Sequence, residues 1–156
     1  MRTLILYATK YGATQDIATR IASHMGGAVL HNLKQGGVPD LAGFDYVLIG
    51  SSLYAGSIRK EAKVFLAQNA GQLRGKKIGL FLSGMAKSDE QKYFKDNFPS
   101  DLLQEAAAAC FLGGIFDPQK AGAMERLIMK AVTKQAGYVD AIDHEKIKQF
   151  VELMKR

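Results

Sequence analysis

The sequence predicts an α/β protein, a doubly wound parallel sheet with helices on both faces. Two observations carry that prediction. Short apolar runs of strand length recur along the chain, at residues 4–8, 45–50 and 78–82. The second, Val47-Leu48-Ile49, is apolar throughout its middle, as a strand covered on both faces must be. Between the runs lie segments whose apolar residues return every three or four positions, the period of a helix lying on a sheet. Strand and helix alternate to the end of the chain, which implies right-handed crossovers between parallel strands.

The first run, Leu4-Ile5-Leu6-Tyr7-Ala8, breaks into Thr9-Lys10-Tyr11-Gly12-Ala13-Thr14 and passes straight into a helix with Ile17, Ala18, Ile21, Ala22 and Met25 on one face. Gly26-Gly27 ends that helix. Residues 28–31 form a weak second strand, followed by a loop with Gly36-Gly37 and Pro39. Residues 45–50 are the third strand, and Ser51-Ser52-Leu53-Tyr54-Ala55-Gly56-Ser57 is read as the loop after it. In the next helix Ala62, Phe65, Leu66 and Asn69 share a face. Lys76-Lys77 introduces the fourth strand, residues 78–82, which ends in Ser83-Gly84-Met85-Ala86-Lys87. A short helix over 89–98 is closed by Pro99, and the fifth strand lies near 109–115. Asp143 is the N-cap of a last helix with Ile147, Phe150, Val151 and Met154 on its inner face.

At 156 residues the chain is long enough for one domain, 1–156, with its own core. An apolar fraction of 47% with 23% charged residues describes a soluble globular protein, and no apolar run reaches membrane-spanning length. No signal-peptide pattern opens the chain, so a cytoplasmic location is expected. The single cysteine, Cys110, excludes an internal disulfide, and its apolar surroundings read as an inert core position. His24, His31 and His144 have no ligand-like spacing, so no metal site is expected. Solubility alone accounts for a net charge of +6, but its placement is uneven. Between residues 58 and 77, Arg59, Lys60, Lys63, Arg74, Lys76 and Lys77 face a single acid, Glu61. These basic residues are not interleaved with exposed aromatics, which argues against a nucleic-acid surface.

The loop from Thr9 to Thr14 is the candidate site. Hydroxyls and free backbone N–H groups at a helix N-terminus bind phosphate, and Lys10 adds positive charge. No Walker loop and no Gly-x-Gly-x-x-Gly occurs, and no carboxylates follow the first strand. Ligands of such sheets bind beyond the carboxyl ends of the strands, so the loops after strands one, three and four should converge.

Thr9-x-x-Gly12-x-Thr14 after a first strand resembles the FMN phosphate loop of flavodoxins, and the partner loops fall at flavodoxin spacing. The resemblance implies a five-stranded sheet of order 2-1-3-4-5 and an FMN site. That site would take Thr9, Lys10, Tyr11, Gly12, Ala13 and Thr14 from the first loop, and Ser51, Ser52, Leu53, Tyr54, Ala55 and Gly56 from the second. Ser83, Gly84, Met85 and Ala86 would come from the third. Tyr11 departs from the small hydroxyl residue that flavodoxins commonly carry there. Tyr54 suits stacking on an isoalloxazine ring, since the chain has no Trp.

Thr3-Leu4-Ile5-Leu6-Tyr7-Ala8-Thr9, Val47-Leu48-Ile49-Gly50-Ser51-Ser52 and Leu127-Ile128-Met129-Lys130 resemble the menaquinone-dependent protoporphyrinogen dehydrogenase branch. A minimal flavodoxin has no counterpart of residues 117–140, which contain a further helix with Met124, Leu127, Ile128, Ala131 and Val132 as its apolar stripe. That stripe reads as core, although its flanks Lys120, Arg126, Lys130 and Lys134 also suit a membrane surface or quinone. The branch carries a longer insertion here. The resemblance implies an FMN-dependent oxidoreductase moving electrons from an organic donor to a quinone-like acceptor, with protoporphyrinogen oxidation as one case. The alternative is an electron carrier docking on redox protein partners. Carriers of this type are usually acidic around the flavin, whereas this chain is basic there. No dyad or activated nucleophile is present, so no side chain is assigned as catalytic.

Overall fold

The computed structural model describes residues 1–85, 88–133 and 137–156, with the side chains of Ile128, Val132 and Thr133 left aside. Among them a parallel sheet runs in the order β2 (Val29–Asn32), β1 (Thr3–Ala8), β3 (Tyr46–Tyr54), β5 (Lys77–Ser83), β6 (Ala108–Phe111). A two-residue strand, β4 (Ser57–Ile58), pairs antiparallel with the end of β3. Counted along the parallel path alone, the order is the expected 2-1-3-4-5.

Alternation along the strands divides the core in two. Leu4 and Leu6 of β1 point to one face, where α2 (Lys60–Asn69) buries Ala62, Phe65 and Leu66. Ile5 and Tyr7 point to the other. There α1 (Ala13–His24) buries Ile17 and Ile21, and α6 (His144–Lys155) buries Ile147, Phe150, Val151 and Met154. Asp143 caps α6 as its position suggests, its carboxylate accepting from the Lys146 N–H at 3.0 Å.

Beside Pro99 the chain does more than close a helix. α3 (Glu90–Asn97) ends there and α4 (Ser100–Glu105) begins, with Pro99 as its N-cap residue. Proline lacks the N–H that the start of a helix leaves unpaired, so it ends one helix and opens the next. The Glu90 carboxylate accepts from the Phe111 N–H at 2.9 Å and pairs with Lys146 at 2.9 Å, covering the outer edge of β6.

The expected fifth strand over 109–115 is in fact two. β6 stops at Phe111, and Gly113, at φ +82°, turns the chain so tightly that a Cβ there would lie 2.0 Å from the Ala141 carbonyl oxygen. Ile115–Phe116 then forms β7, which pairs antiparallel with β8 (Val139–Asp140). This small hairpin is the base of the surplus segment, and α5 (Ala123–Thr133) stands on it.

Gly50 of β3 lies opposite Phe81 of β5, and a Cβ at Gly50 would come within 2.1 Å of the Phe81 ring. That ring packs edge-on against Phe150 at 5.9 Å and 75°. Gly50→Ala should therefore destabilise the fold by about 1–3 kcal/mol through overpacking. Urea unfolding checks this, and an unchanged midpoint would remove the Phe81 ring from its place over Gly50.

Candidate functional site

The carboxyl ends of β1, β3, β5 and β6 open into one cleft of about 460 Å³. Thr9, Lys10, Tyr11 and Ala13 line it from the first loop. Thr9 Oγ1 accepts from the Gly12 N–H at 2.9 Å, folding the loop on itself. Gly12, at φ +99°, is the N-cap residue of α1 and offers no side chain, so the first turn of that helix has no side-chain cap. Thr14, one of the proposed ligand hydroxyls, is not the N-cap residue of α1. It lies within the helix, wholly buried, with its Oγ1 2.7 Å from Ser83 Oγ. That bond ties the start of α1 to the end of β5, where Ser83 lines the cleft.

The second segment is no open loop. β3 continues through Ser51, Ser52, Leu53 and Tyr54, and reverses at Ala55 and Gly56, whose φ values of 49° and 79° give the paired left-handed turn of a tight hairpin. Ala55 in that region is strained, as positions beside ligands often are. Asn97 of α3 clamps the hairpin, donating to the Gly56 carbonyl at 2.9 Å and accepting from the Ile58 N–H at 3.0 Å. Ser52, Leu53, Tyr54, Ala55 and Gly56 line the cleft. Ser51 does not. Its buried hydroxyl donates to the Ser52 carbonyl and accepts from the Arg59 N–H, each at 2.9 Å, which fixes the hairpin to the start of α2.

Ser83, Gly84 and Met85 line the cleft from the third loop, while Ala86 and Lys87 lie outside the described residues. Ser52 Oγ is closed off from solvent without a hydrogen-bond partner. Buried hydroxyls are rarely left so, and a turn about χ1 would offer this one to a ligand.

A fourth wall comes from outside the three loops. Tyr93 and Phe111, whose rings pack at 6.5 Å, close one end, and Gly114, Ile115, Phe116, Asp117, Ala121, Glu125 and Met129 complete the lining. The surplus segment thus belongs to the cleft. Met124 and Leu127, read as core, are instead about two-thirds exposed. α5 turns Glu125 and Met129 inward, four residues apart on one face, which leaves Met124 and Leu127 outside. The only sequence signal for this orientation was Glu125, the single acid among the basic residues of this helix.

Glu125 forms an ion pair with Lys10, whose ammonium also lies 4.5 Å from the centre of the Tyr54 ring and 5.2 Å from that of Tyr11. Burial works against the Glu125 charge, but hydrogen bonds from Lys10 and Tyr11 outweigh it and hold its carboxyl below the usual range. The hydrogen bond to Glu125 in turn raises Lys10. Tyr11, the departure from a small hydroxyl, thus reaches the wall helix. Elsewhere, burial pushes the Cys110 thiol up, away from a reactive thiolate.

Fold and cleft together define a doubly wound α/β domain with a cleft at the carboxyl ends of its strands, the place where sheets of this kind take their ligands. Residues 4–143 match the sequence model of the flavodoxin domain family, Flavodoxin_5, and the chain belongs to that family. Among curated proteins, none matches the chain in sequence. Its fold is similar to that of a Streptococcus pneumoniae TIGR4 flavodoxin, with TM-score 0.66 and 18% identity over 99% of this chain and 98% of that one. Flavodoxin 2 from Bacillus cereus is similar at TM-score 0.65 and 20% identity, over 99% and 98%. A flavoprotein from Lactobacillus acidophilus NCFM, described in complex with FMN, gives TM-score 0.51 and 16% identity over 70% and 92%. The chain spans 35% of the length of the rubredoxin oxygen:oxidoreductase of Desulfovibrio gigas, which it also resembles in fold, at TM-score 0.61 and 14% identity over 98% of this chain.

The Thr14–Ser83 pair couples the start of α1 to the end of β5. Thr14→Val leaves Ser83 Oγ buried without its partner and should cost about 1–3 kcal/mol of stability. Adding Ser83→Ala should recover part of that loss. Denaturant midpoints of the two single variants and the double variant check the coupling, and strictly additive losses would exclude it.

Proposed function

We propose that the chain binds FMN in this cleft and works as an oxidoreductase, passing electrons from an organic donor to a quinone-like acceptor. The carrying observation is the fourth wall. Ile115, Phe116, Ala121, Glu125 and Met129 join the strand-end loops around one space, which suits a small molecule held beside the cofactor.

The residues fit the cofactor. The uncapped first turn of α1 and the Thr9 loop suit its phosphate. The half-exposed Tyr54 offers a ring face, and the unpartnered Ser52 Oγ offers a hydrogen-bonding group. The fold-similar flavoprotein described with FMN supports the same reading. Bound FMN would supply the two-electron chemistry, and the protein's part is to place it and set its electrostatics. Of the basic residues, only Lys10 lines the cleft, where it is paired with Glu125, while Arg59, Lys60 and Lys63 at the start of α2 lie outside the lining.

The reading extends to protoporphyrinogen as a donor, and to a cytoplasmic protein touching the membrane through α5. Met124 and Leu127 are exposed there beside Lys120, Arg126 and Lys130, and no helix among the described residues is long and apolar enough to cross a membrane. The carrier reading draws on the exposed Tyr54 rim, where a redox protein could dock.

FMN should bind with near-unit stoichiometry, and riboflavin on the order of 100-fold more weakly, for the loss of about 3 kcal/mol of charge-assisted hydrogen bonds. Equal affinities in a fluorescence titration would overturn the phosphate assignment. Tyr54→Ala should weaken FMN about tenfold and brighten its bound fluorescence. Unchanged quenching would remove Tyr54 as the stacking partner. Replacing residues 118–137 by a short Gly-Ser link should spare FMN binding and abolish turnover with a quinone acceptor. Retained turnover would favour the carrier.

A further inference from the structure

The contact between Lys10 and Glu125 joins residues far apart in sequence, one in the β1–α1 loop and one on α5, directly across the mouth of the cleft. It is partly shielded, with about a third of the Lys10 side chain and a sixth of that of Glu125 accessible. The same ammonium stands over the Tyr54 ring at 4.5 Å. A planar ligand stacked on that face would need the position the ammonium holds, since stacked rings sit about 4.5–7 Å apart between centres.

We propose that Lys10 and Glu125 form a latch. Their ion pair ties α5 to the β1–α1 loop and keeps the Lys10 ammonium on the Tyr54 face, and an anion held by that loop releases both by drawing Lys10 to itself. The proposal rests on the FMN reading only for the identity of the ring and the anion.

The chemistry favours exchange of partners. An ion pair whose cation is a third accessible to water is weak enough to open in thermal motion. A phosphate monoester carries about −1.5 to −2 charges against one for a carboxylate, so it competes well for the ammonium. The uncapped N-terminus of α1 adds its own attraction for the phosphate, and none for Glu125 on the opposite wall. Lys10 belongs to the loop that would hold the anion, so a side-chain rotation suffices and the backbone need not move. When Lys10 leaves, α5 keeps only the Tyr11 hydrogen bond as its side-chain tie through Glu125 to the first loop, and Tyr54 loses its cover. The latch thus couples anion arrival to access for the ring.

Hydrogen exchange of α5 in flavin-free protein reads the closed latch directly. Glu125→Gln should speed exchange of the α5 amides by roughly three- to fivefold, the scale of one partly exposed ion pair, and Lys10→Met should do the same. Inorganic phosphate should accelerate α5 exchange in the unaltered protein and leave Lys10→Met unaffected. The charge-swapped variant, Lys10→Glu with Glu125→Lys, should regain slow exchange, which a general loss of packing would not allow. In stopped-flow mixing, Glu125→Gln should take up FMN roughly three- to fivefold faster than the unaltered protein. Unchanged α5 exchange in both single variants overturns the latch. So does faster exchange with an unchanged FMN association rate, because the pair would then be a structural tie alone. Failure of every variant to bind FMN overturns the flavin reading instead, and the exchange and phosphate results then decide the latch by themselves.

Discussion

Burial of β1, β3 and β5 on both faces is the constraint from which the rest of the structure follows. Leu4, Ile5, Leu6, Val47, Leu48 and Ile49 are fully shielded, so neither face of the sheet can present a functional group to solvent. Parallel pairing from β1 to β6 points every carboxyl end the same way. Polar chemistry is therefore confined to the rim, where the backbone leaves the ladder. Gly50 shows how tightly this is enforced, because the Phe81 ring occupies the space that any side chain there would need.

At the rim the hydroxyls divide into two kinds. Thr14, Ser83 and Ser51 satisfy one another or nearby backbone groups, and these bonds set the spacing of the loops. Thr9 and Ser52 line the cleft, and Ser83 belongs to both kinds. Buried polar groups of the first kind cost stability if left unpaired, and so act as spacers of fixed length. The Asn97 clamp on the hairpin is a further spacer, supplied from a helix that itself gives only Tyr93 to the lining.

Much of this was legible from local pattern. The β1 run and the helices α1, α2 and α6 declare themselves through period and length, because each buries a single stripe against the sheet. The convergence of the three loops follows from parallel topology alone. The bond between Thr14 and Ser83 escaped notice because it joins two distant segments of the chain, and no local pattern announces it. The hairpin at Ala55–Gly56 escaped notice because alanine rarely adopts a positive φ and small residues read as loop. Met124 and Leu127 of the α5 stripe misled for a different reason, while the side chains of Ile128 and Val132 lie outside those described. Helical period shows that a face exists, and the Lys10–Glu125 contact, which has no local signature, accompanies the face that turns inward.

Under the proposed function, that choice bears on whether electrons would leave through a docked protein or a bound molecule. A carrier exchanges electrons through an accessible ring edge, and a helix laid over the cleft would lengthen the path to any docked partner. The same helix would help to enclose a small donor or acceptor, with apolar contact from its Met129 and from Ile115 and Phe116 of β7. Its outward residues Met124 and Leu127 leave an apolar strip edged by Lys120, Arg126 and Lys130, which suits an apolar acceptor arriving from an anionic surface better than it suits solvent. Polar substrates gain nothing from such a strip. The position of α5 thus links two features that the minimal fold has no use for, an apolar inner wall and an apolar outer strip, and both favour an apolar electron acceptor at this site.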